Sequence, residues 1–572
     1  MKKLLPLLLF LIMGMAHAQI TVRGTVTSEA DGLGIPGVTV QVKESNTGVA
    51  TDIDGNFTIV VPSINNILIF RSIGYQSQEV VVGSRSFISL VMKENLGTLE
   101  EVVVVGYGQV RKSDITGAVS SVSEAQLRQS ITTNIDQALQ GRVAGVQITQ
   151  NSGQPGGGVS VRIRGANSIT GSSEPLYVID GIPFQGDGVG TAGFSWAGGA
   201  NGQGQVNPLS TINPNDIVSI EVLKDASATA IFGSRAANGV IMVTTRRGKA
   251  GEAKISYNTF FAAQTVQRKL NMMNLPQYAE YQLNTAATVD GINVNERYLD
   301  PSILGPGTDW QDEVFRTAPM QSHQLTISGG SDKSTYAIST GYMHQDGIII
   351  GSNFSRLTTR VNLENQVKEW FKVGTNLSYA STDERITLND GGDGVIMQAL
   401  VMPPDVPVRN INGEFAGPEN NTADMSFNPV ASALMRNNTL ERKRVMGNVY
   451  GELKPIQNLI IRSELGFDDN RSLGIGFHPT YDWGVLINNE NRLRQRNTQS
   501  FFWIWNTFAT YTNTIGKHNF TGMLGTEAQR SEFEGSEITK INFATNDIQV
   551  LSQGQQEGQV SNGWKGAASL AS

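Results

Sequence analysis

The sequence predicts a mainly β protein: an N-terminal β-sandwich, then a mixed α+β domain, then the antiparallel strands of a transmembrane β-barrel. Three observations predict this fold class. Short segments with an apolar residue at every second position recur along the chain, 62 of its 572 residues are glycine, and short and long connections alternate in the second half. Alternation of period two indicates strands with one buried face, and glycine favours the turns that join them.

Composition excludes several classes of function. The chain has no cysteine, which excludes disulfides, thiolate catalysis and cysteine-ligated metals. Its net charge of −7 gives no electrostatic case for binding nucleic acid. The five histidines are scattered without the paired spacing of zinc hydrolases, so we expect neither a bound metal nor another cofactor.

The first residues predict export. Lys2 and Lys3 precede an apolar run, which is followed by Ala16-His17-Ala18. A basic start, a short apolar core and small residues at alternate positions are typical of a secretory signal peptide. We expect residues 1–18 to be removed by cleavage between Ala18 and Gln19. The apolar run is shorter than the roughly 20 residues that a membrane-spanning helix requires.

Residues 19–95 predict a small antiparallel β-sandwich, because alternating segments are separated by Asp-Gly and Gly-Tyr turns. Gly32, Gly34 and Gly37 fit the spacing of a dinucleotide-binding loop, but a strand follows them where that loop requires a helix. The run Asp52–Asn56 has a misplaced glycine for a calcium loop and predicts a hairpin turn. The segment resembles the carboxypeptidase-regulatory-like, transthyretin-type modules, which implies a domain without catalytic function.

The stretch Leu99 to Gly108 contains four consecutive valines, Val102–Val105, after two glutamates and before Gly-Tyr-Gly. β-Branched residues favour an extended backbone, so the valines predict a strand. Two interpretations remain open at this point. The strand belongs to a β domain, or it is a docking peptide that adds itself to the sheet edge of a partner.

Residues 111–248 combine short helices and strands. Ser121 and Glu124 have the spacing of a capping box that opens a short helix. Asp225 is placed to cap another short helix, and Gly233 to end it. The glycine-rich run 186–205 predicts a loop.

From about residue 250 to 572 the alternating segments become long and regular. Nine strands are predicted, and a tenth begins near Gly566. They lie at 254–264, 323–330, 335–344, 354–366, 371–381, 444–453, 459–468, 502–512 and 518–528. In the fifth of these, one face is apolar and the opposite face is polar.

Short turns on one side, long loops on the other and strands of about ten residues are the pattern of an outer-membrane barrel. Aromatic residues near the predicted strand ends, such as Trp370 and Tyr511, favour the membrane interpretation. A soluble repeat of β-hairpins is the alternative that the pattern leaves open.

Two segments of the mixed domain, Pro175–Pro183 and Ser219–Thr245, resemble the plug motifs of SusC/RagA-type TonB-dependent receptors. The first reads Pro-Leu-Tyr-Val-Ile-Asp-Gly-Ile-Pro, and the second contains Phe-Gly-Ser-Arg-Ala-Ala-Asn-Gly-Val-Ile. The resemblance assigns the plug motif to Tyr177, Asp180, Gly181, Glu221, Lys224, Asp225, Gly233, Arg235, Asn238 and Gly239. The valine stretch resembles the TonB box of these receptors, which assigns TonB binding to Glu101, Val102, Val103, Val104, Val105, Gly106 and Tyr107.

The resemblance implies an energised importer in the outer membrane rather than an enzyme. A plug (residues 111–248) fills the barrel (250–572), the sandwich lies in the periplasm, and the box (99–108) binds TonB, which an inner-membrane complex drives. A SusD-like surface lipoprotein covers the extracellular opening, outer-membrane lipid surrounds the barrel, and the ligand is an oligosaccharide or a peptide. Candidates for ion pairs between plug and barrel are Arg162, Arg164, Asp180, Glu221, Lys224, Asp225, Arg235 and Arg246.

Each predicted strand, counted together with its loop, takes up about 31 residues. A plugged transporter with 22 strands therefore needs about 680 residues for its barrel. Nine or ten strands close a cylinder too narrow for a plug, and open sheet edges are not viable in lipid. We therefore expect the sequence to be the N-terminal part of a longer protein that does not transport alone. Two other functions stay open: a surface receptor or adhesin without transport, and an envelope peptidase, for which the sequence offers no metal or nucleophile set.

Overall fold

The computed structural model describes residues 20–29, 32–43, 45, 47–72, 75–93, 102–105, 108–111, 119–127, 134–150, 153–165, 173–184, 208–289, 294–387, 394–418, 426–516 and 518–571. The predicted signal peptide with Ala18 and Gln19, the glycine-rich run 186–205, and Glu101, Gly106 and Tyr107 lie outside these residues. The chain divides into two compact units, and the boundary lies at the valine stretch.

The first unit is a β-sandwich, which confirms the predicted fold. Its strands are β1 (Ile20–Ser28), β2 (Thr39–Val42), β3 (Gly48–Ala50), β4 (Asn56–Val61), β5 (Ile67–Arg71), β6 (Gln78–Val81) and β7 (Phe87–Met92). One sheet has the order β4-β1-β7 and the other β3-β2-β5-β6. The prediction of purely antiparallel pairing was wrong for one pair, because β1 and β7 run in parallel. Alternate side chains of both sheets form the core, among them Val22, Val40 and Phe70.

The turn Asp52–Asn56 connects the two sheets of the sandwich, so the predicted hairpin was wrong. β3 and β4, on either side of it, belong to different sheets. The Asp52 carboxylate accepts hydrogen bonds from the backbone N–H groups of Asp54 (3.0 Å) and Asn56 (2.7 Å). These hydrogen bonds to the ionised carboxylate lower the pKa of Asp52. The carboxylate therefore stabilises the turn.

Replacing Gly24 by alanine is expected to destabilise the sandwich by about 1–3 kcal/mol. An alanine Cβ at this position in β1 would lie 2.0 Å from the carbonyl oxygen of Ile88, a backbone atom that cannot rotate away. Thermal unfolding of the isolated sandwich, followed by circular dichroism, measures the loss. Ser89→Ala, at an exposed position of β7, is the control and is expected to leave the midpoint unchanged. An unaltered midpoint for Gly24→Ala would contradict the close packing of β1 and β7.

Between the sandwich and the plug lie two short strands, β8 (Val102–Val105) and β9 (Gly108–Arg111), which form a two-stranded sheet.

The plug is an α+β domain with a five-stranded sheet of order β10-β15-β16-β13-β14 and a separate β11-β12 pair. Its strands are β10 (Val119–Ser123), β11 (Val146–Gln150), β12 (Val159–Ile163), β13 (Leu176–Ile179), β14 (Ile182–Pro183), β15 (Ile217–Leu223) and β16 (Val240–Thr245). Its helices are Glu124–Leu127, Ile135–Leu139 and Ala226–Thr229, and its 3-10 helices are Pro208–Thr211, Pro214–Asp216 and Ala230–Ala236.

The predicted capping box was wrong by two residues. The helix begins at Glu124, but Ser121 lies in β10, opposite Glu221 of β15. Ser123 takes the capping position instead, because its backbone N–H donates to the Gln126 side chain at 2.9 Å.

The third part is a ten-stranded antiparallel sheet in which each strand pairs with its sequence neighbours of the sheet. Its strands are β17 (Gly251–Gln264), β18 (Ala318–Gly330), β19 (Ser334–Asp346), β20 (Asn353–Lys368), β21 (Phe371–Arg385), β22 (Asn437–Ile456), β23 (Leu459–His478), β26 (Arg492–Ile515), β27 (His518–Ile541) and β28 (Gln555–Ala571). The nine predicted strands are confirmed, and most run several residues further than predicted. The tenth strand is also present, but it begins at Gln555, eleven residues before the predicted start.

Long connections leave one end of this sheet and contain most of the remaining elements. These are the helices Leu275–Thr288, Trp310–Val314, Val395–Val401 and Pro429–Met435, the 3-10 helices Glu296–Tyr298, Pro301–Ile303 and Leu551–Gln553, and the strands β24 (Tyr481–Trp483) and β25 (Leu486–Asn488). In the part of the chain that the structure describes, no helix combines the length and apolarity needed to cross a membrane.

Candidate functional site

The plug contacts one face of the ten-stranded sheet through polar side chains. On β20 the side chains of Arg356, Thr358, Arg360 and Asn362 are buried, while Leu357 between them is 42% exposed. Because successive side chains of a strand point to opposite faces, the buried set defines an inner face. The candidate site is the plug interface: this inner face together with the plug segments packed on it, which are 180–184, 208–216, 235 and 246–248.

The first contact of the plug interface is the hairpin between β13 and β14. Its two-residue loop, Asp180-Gly181, has φ values of 49° and 91°, and Ile179 lies opposite Ile182. Positive φ at both loop residues is the geometry of a type I′ turn, for which Asp-Gly is a preferred sequence. The turn places Asp180 at the end of the plug sheet, next to the barrel strands.

Asp180 joins plug and barrel through a buried carboxylate. It accepts hydrogen bonds from the Thr245 backbone N–H (3.0 Å) and hydroxyl (2.7 Å) within the plug. It also forms an ion pair with Arg360 of β20, and the two side chains are only 3% and 8% exposed. Asn448 of β22 donates to the Asp180 carbonyl at 3.3 Å. Because water does not screen a buried pair, the attraction between these two charges is weakened less than in a surface ion pair, and loss of either partner leaves a buried charge without its counter-ion.

The segment Pro208–Asp216 forms the second contact. The Arg356 guanidinium donates to the carbonyl oxygens of Ser210 (2.9 Å) and Ile212 (3.1 Å). Arg442 of β22 donates to the Ser210 hydroxyl at 2.6 Å and pairs with the buried Glu384 of β21. Two barrel arginines therefore hold a plug segment through its backbone and one hydroxyl.

A side-chain network extends this second contact. The Asn213 amide donates to the Gln324 carbonyl oxygen of β18 at 2.6 Å, and the Gln324 amide donates to Asp216 at 2.9 Å. Burial raises the pKa of the Asp216 carboxyl, while a hydrogen bond from Ser339 and nearby arginines oppose the rise.

Three further contacts complete the plug interface. The Arg444 guanidinium pairs with Asp468 (Nε to Oδ1, 2.8 Å) and lies 3.5 Å from the centre of the Phe184 ring of the plug, a cation–π contact. Arg235 of the plug pairs with Glu527 of β27 at 3.0 Å. At the last plug residues, Arg247 lies 3.5 Å from Glu364 of β20 and the Gly248 N–H donates to Asn362 at 3.3 Å.

The predicted plug–barrel ion pairs need correction. Of the eight candidates, Asp180 and Arg235 pair with barrel residues, as described above. Two pairs lie within the plug instead: Arg164 with Asp225, and Arg246 with Glu124. Asp225 does occupy the N-cap position of its helix, but its side chain makes no capping hydrogen bond.

Lys224 also contacts the plug rather than the barrel. Its ammonium donates to the Ser120 hydroxyl (2.7 Å) and to the Ala144 carbonyl (2.9 Å). Glu221 is buried within β15, and Arg162 is exposed on β12. Lys224 was predicted to contact the barrel because its position in the sequence does not reveal which face of the plug its side chain occupies.

The other predicted motif residues have structural positions within the plug. The Tyr177 hydroxyl donates to Asp136 at 2.9 Å, and burial together with that carboxylate raises the pKa of Tyr177 well above its usual range. Asn238 donates to a plug carbonyl at 3.3 Å. Gly233 and Gly239 have φ values of 65° and 91°, a region that residues with a Cβ rarely adopt.

The predicted docking peptide forms β8, paired with β9. Of the seven box residues, Val102–Val105 are described as this strand. Among the described strands, β8 pairs only with β9, so its second edge is unpaired. Such an edge can accept an added strand.

The prediction missed the barrel side of the interface, the arginines 356, 360, 442 and 444. A signal was present: Arg356, Arg360 and Glu364 follow one another at intervals of four in a predicted strand. Residues at even spacing share one face, so a charged inner face could have been inferred.

Removal of the Asp180 carboxylate by Asp180→Ala is expected to weaken the hold of the barrel on the plug by about 1.5–3 kcal/mol, because it leaves Arg360 buried without its acid. Hydrogen exchange of the β13 and β16 amides in the detergent-solubilised protein measures the change. Asp225→Ala is the control, because the Arg164–Asp225 pair is more exposed and lies within the plug. Equal protection in both variants would contradict a role for Asp180 at the interface.

Among the residues that the structure describes, no group of three or more histidine, aspartate or glutamate side chains is arranged to hold a metal ion.

Comparison with known proteins gives consistent matches. The family model for the TonB-dependent Receptor Plug Domain matches residues 111–240, and that for the CarboxypepD_reg-like domain matches residues 22–104. The chain is 37% identical to TonB-dependent receptor P3 of Formosa agariphila, over 96% of this chain and 52% of that protein. It is 34% identical to TonB-dependent receptor SusC of Bacteroides thetaiotaomicron, over 92% of this chain and 52% of that protein.

Among solved structures, the RagAB peptide importer in its open-open state aligns with a TM-score of 0.67 and 27% identity, over 82% of this chain and 53% of that chain. The chain spans about half the length of the curated relatives it matches.

Proposed function

The chain belongs to the SusC/RagA type of TonB-dependent receptors, and from this membership we propose that it serves TonB-driven import of a large nutrient across the outer membrane. The ligand is an oligosaccharide or a peptide, and the similar RagAB structure is a peptide importer. A SusD-like lipoprotein covers the extracellular opening, and the N-terminal sandwich lies in the periplasm.

The observation that carries this proposal is the plug interface. The plug is held on the inner face by ion pairs and hydrogen bonds, among them Asp180–Arg360 and Arg235–Glu527. Contacts of this kind break and re-form without covalent chemistry, which suits a plug that moves during import. Such an interface supports transport rather than catalysis.

The proposed mechanism begins at Val102–Val105. TonB pairs with this extended segment by adding a strand, so main-chain hydrogen bonds supply the affinity. The first described plug element beyond the box is β10, an edge strand of the plug sheet. A pull on the box therefore acts first on the ladder between β10 and β15, and then on the contacts that hold the plug in the barrel.

The test is uptake of labelled oligosaccharides and peptides by cells that express the full-length protein, with and without functional TonB. Uptake that requires TonB, together with surface binding that does not, is the expected result. Binding without uptake in both strains would instead support a surface receptor or adhesin and overturn the import proposal.

A further inference from the structure

The strand that follows the box in the plug lies at the edge of the plug sheet. Among the described strands of that sheet, β10 pairs only with β15, through five residue pairs that run from Val119–Leu223 to Ser123–Ser219. β10 is also the first described plug element beyond the box. A pull that enters the plug from the box therefore reaches β10 before the other described plug elements.

The two ends of the plug sheet differ in what lies beside them. β10 and β16 both run antiparallel to β15, so Ser123 lies at the same end of the sheet as Asp216 and Gly248. Asp216 and Gly248 both contact the barrel, and we call this end of the sheet the anchored end. Val119, where β10 begins, and Lys224 lie at the opposite end, which we call the box end.

One charged side chain fastens β10 at each end. At the box end, the Lys224 ammonium donates to the Ser120 hydroxyl of β10 at 2.7 Å and to the Ala144 carbonyl at 2.9 Å. At the anchored end, the Arg246 guanidinium pairs at 2.6 Å with Glu124, the residue directly after β10. The side chains of this pair are only 27% and 31% exposed, so water screens their attraction less than at an open surface.

Arg246 also links β10 to the part of the plug that the barrel holds. Its backbone N–H donates to the Asp216 carbonyl at 2.8 Å. The next two residues, Arg247 and Gly248, contact β20 of the barrel. The Glu124–Arg246 pair therefore joins the end of β10 to the point where the plug meets the barrel wall.

The placement of the two ends determines how a pull loads β10. The pull enters at the box end and the barrel resists at the anchored end, so the tension runs along the strand. Arg235 contacts the barrel from a helical segment outside the sheet. Because ladder hydrogen bonds are perpendicular to the strands, tension along the strands strains all of them together. With only five residue pairs in this ladder, the two charged contacts supply a large share of its resistance.

We propose that Lys224 and Arg246 are positioning residues that keep β10 on the plug sheet while TonB pulls, so that the force reaches the plug segments bound to the barrel. The inference rests on the proposed TonB-driven import. Without these two contacts, β10 separates from β15 under load. The pull then extends the separated chain and does not move the rest of the plug.

The test combines Lys224→Met with Glu124→Gln, which removes both contacts and leaves Arg246 in place. In the purified full-length protein, the β10 amides of this double variant are expected to exchange hydrogen about tenfold faster. Nutrient uptake by cells is expected to fall about tenfold, while binding of purified TonB stays unchanged. Arg164→Gln is the matched control and is expected to change none of these, because its ion pair with Asp225 lies within the plug but does not include β10.

An engineered disulfide separates the fastening of β10 from a general effect on the plug. Ser123 and Ser219 lie directly opposite each other in the ladder, at a spacing that a disulfide can bridge. The chain has no cysteine that could compete. When Ser123→Cys and Ser219→Cys are added to the double variant, uptake is expected to return with the oxidised disulfide and to be lost again on reduction.

Unchanged exchange of the β10 amides in the double variant would overturn the proposal, and this measurement uses neither TonB nor a nutrient. Wild-type uptake despite faster exchange would also overturn it, as would a disulfide that is formed by mass spectrometry but does not restore uptake. Absence of uptake in the wild-type protein would instead contradict the import proposal.

Discussion

Deletion of Val102–Val105 from the full-length protein is expected to abolish nutrient uptake and to leave nutrient binding at the cell surface unchanged. The four valines form a strand ahead of the plug, and a partner that pairs with them gains its affinity from main-chain hydrogen bonds. In the proposed import mechanism, force reaches the plug through this strand, so the deletion removes it. Uptake and surface binding of a labelled ligand in the same cells measure the two effects.

Two variants test whether the backbone of the segment carries the effect. Val103→Pro removes a backbone donor and is expected to reduce uptake as strongly as the deletion if this N–H faces the partner. Val103→Thr keeps a β-branched residue with its N–H group and is expected to preserve most of the uptake. Full uptake after the deletion would show that import does not depend on this segment.

Replacement of Arg442 by methionine is expected to cause the largest loss of stability, about 3–5 kcal/mol. The Arg442 and Glu384 side chains are 1% and 0% exposed, so the variant leaves a carboxylate buried without its cation. It also removes the hydrogen bond from Arg442 to the Ser210 hydroxyl of the plug. Urea unfolding of the detergent-solubilised protein, followed by tryptophan fluorescence, measures the free energy.

Two comparisons separate the buried charge from the volume change. The double variant Arg442→Met, Glu384→Leu removes both charges and is expected to recover most of the stability, since an apolar pair can replace a buried ion pair. Lys443→Met, the neighbouring position on the outer face, is expected to change stability by less than about 1 kcal/mol. A loss in the double variant as large as in Arg442→Met would show that packing, not the unpaired charge, determines the effect.

The barrel strands are longer than the alternation of apolar and polar residues predicts. The sixth strand was predicted at 444–453, but β22 runs from Asn437 to Ile456. Beyond the aromatic residues its outer face carries Glu441 and Lys443, so apolar and polar residues no longer alternate although the strand continues. Apolar and polar residues alternate only in the part of a membrane-barrel strand that faces lipid. The hydrogen-bonded strand continues beyond that part.

Local patterns by themselves determined the order of the domains and the strands of the barrel, because each depends on residues close together in the chain. Only the tertiary structure decided which charges meet. Asp180 pairs with Arg360, 180 positions away in the sequence, while Lys224, from the same motif as Arg235, contacts the plug itself. Ion-pair partners depend on the register of distant strands and on which face packs against which, and a single motif contains neither.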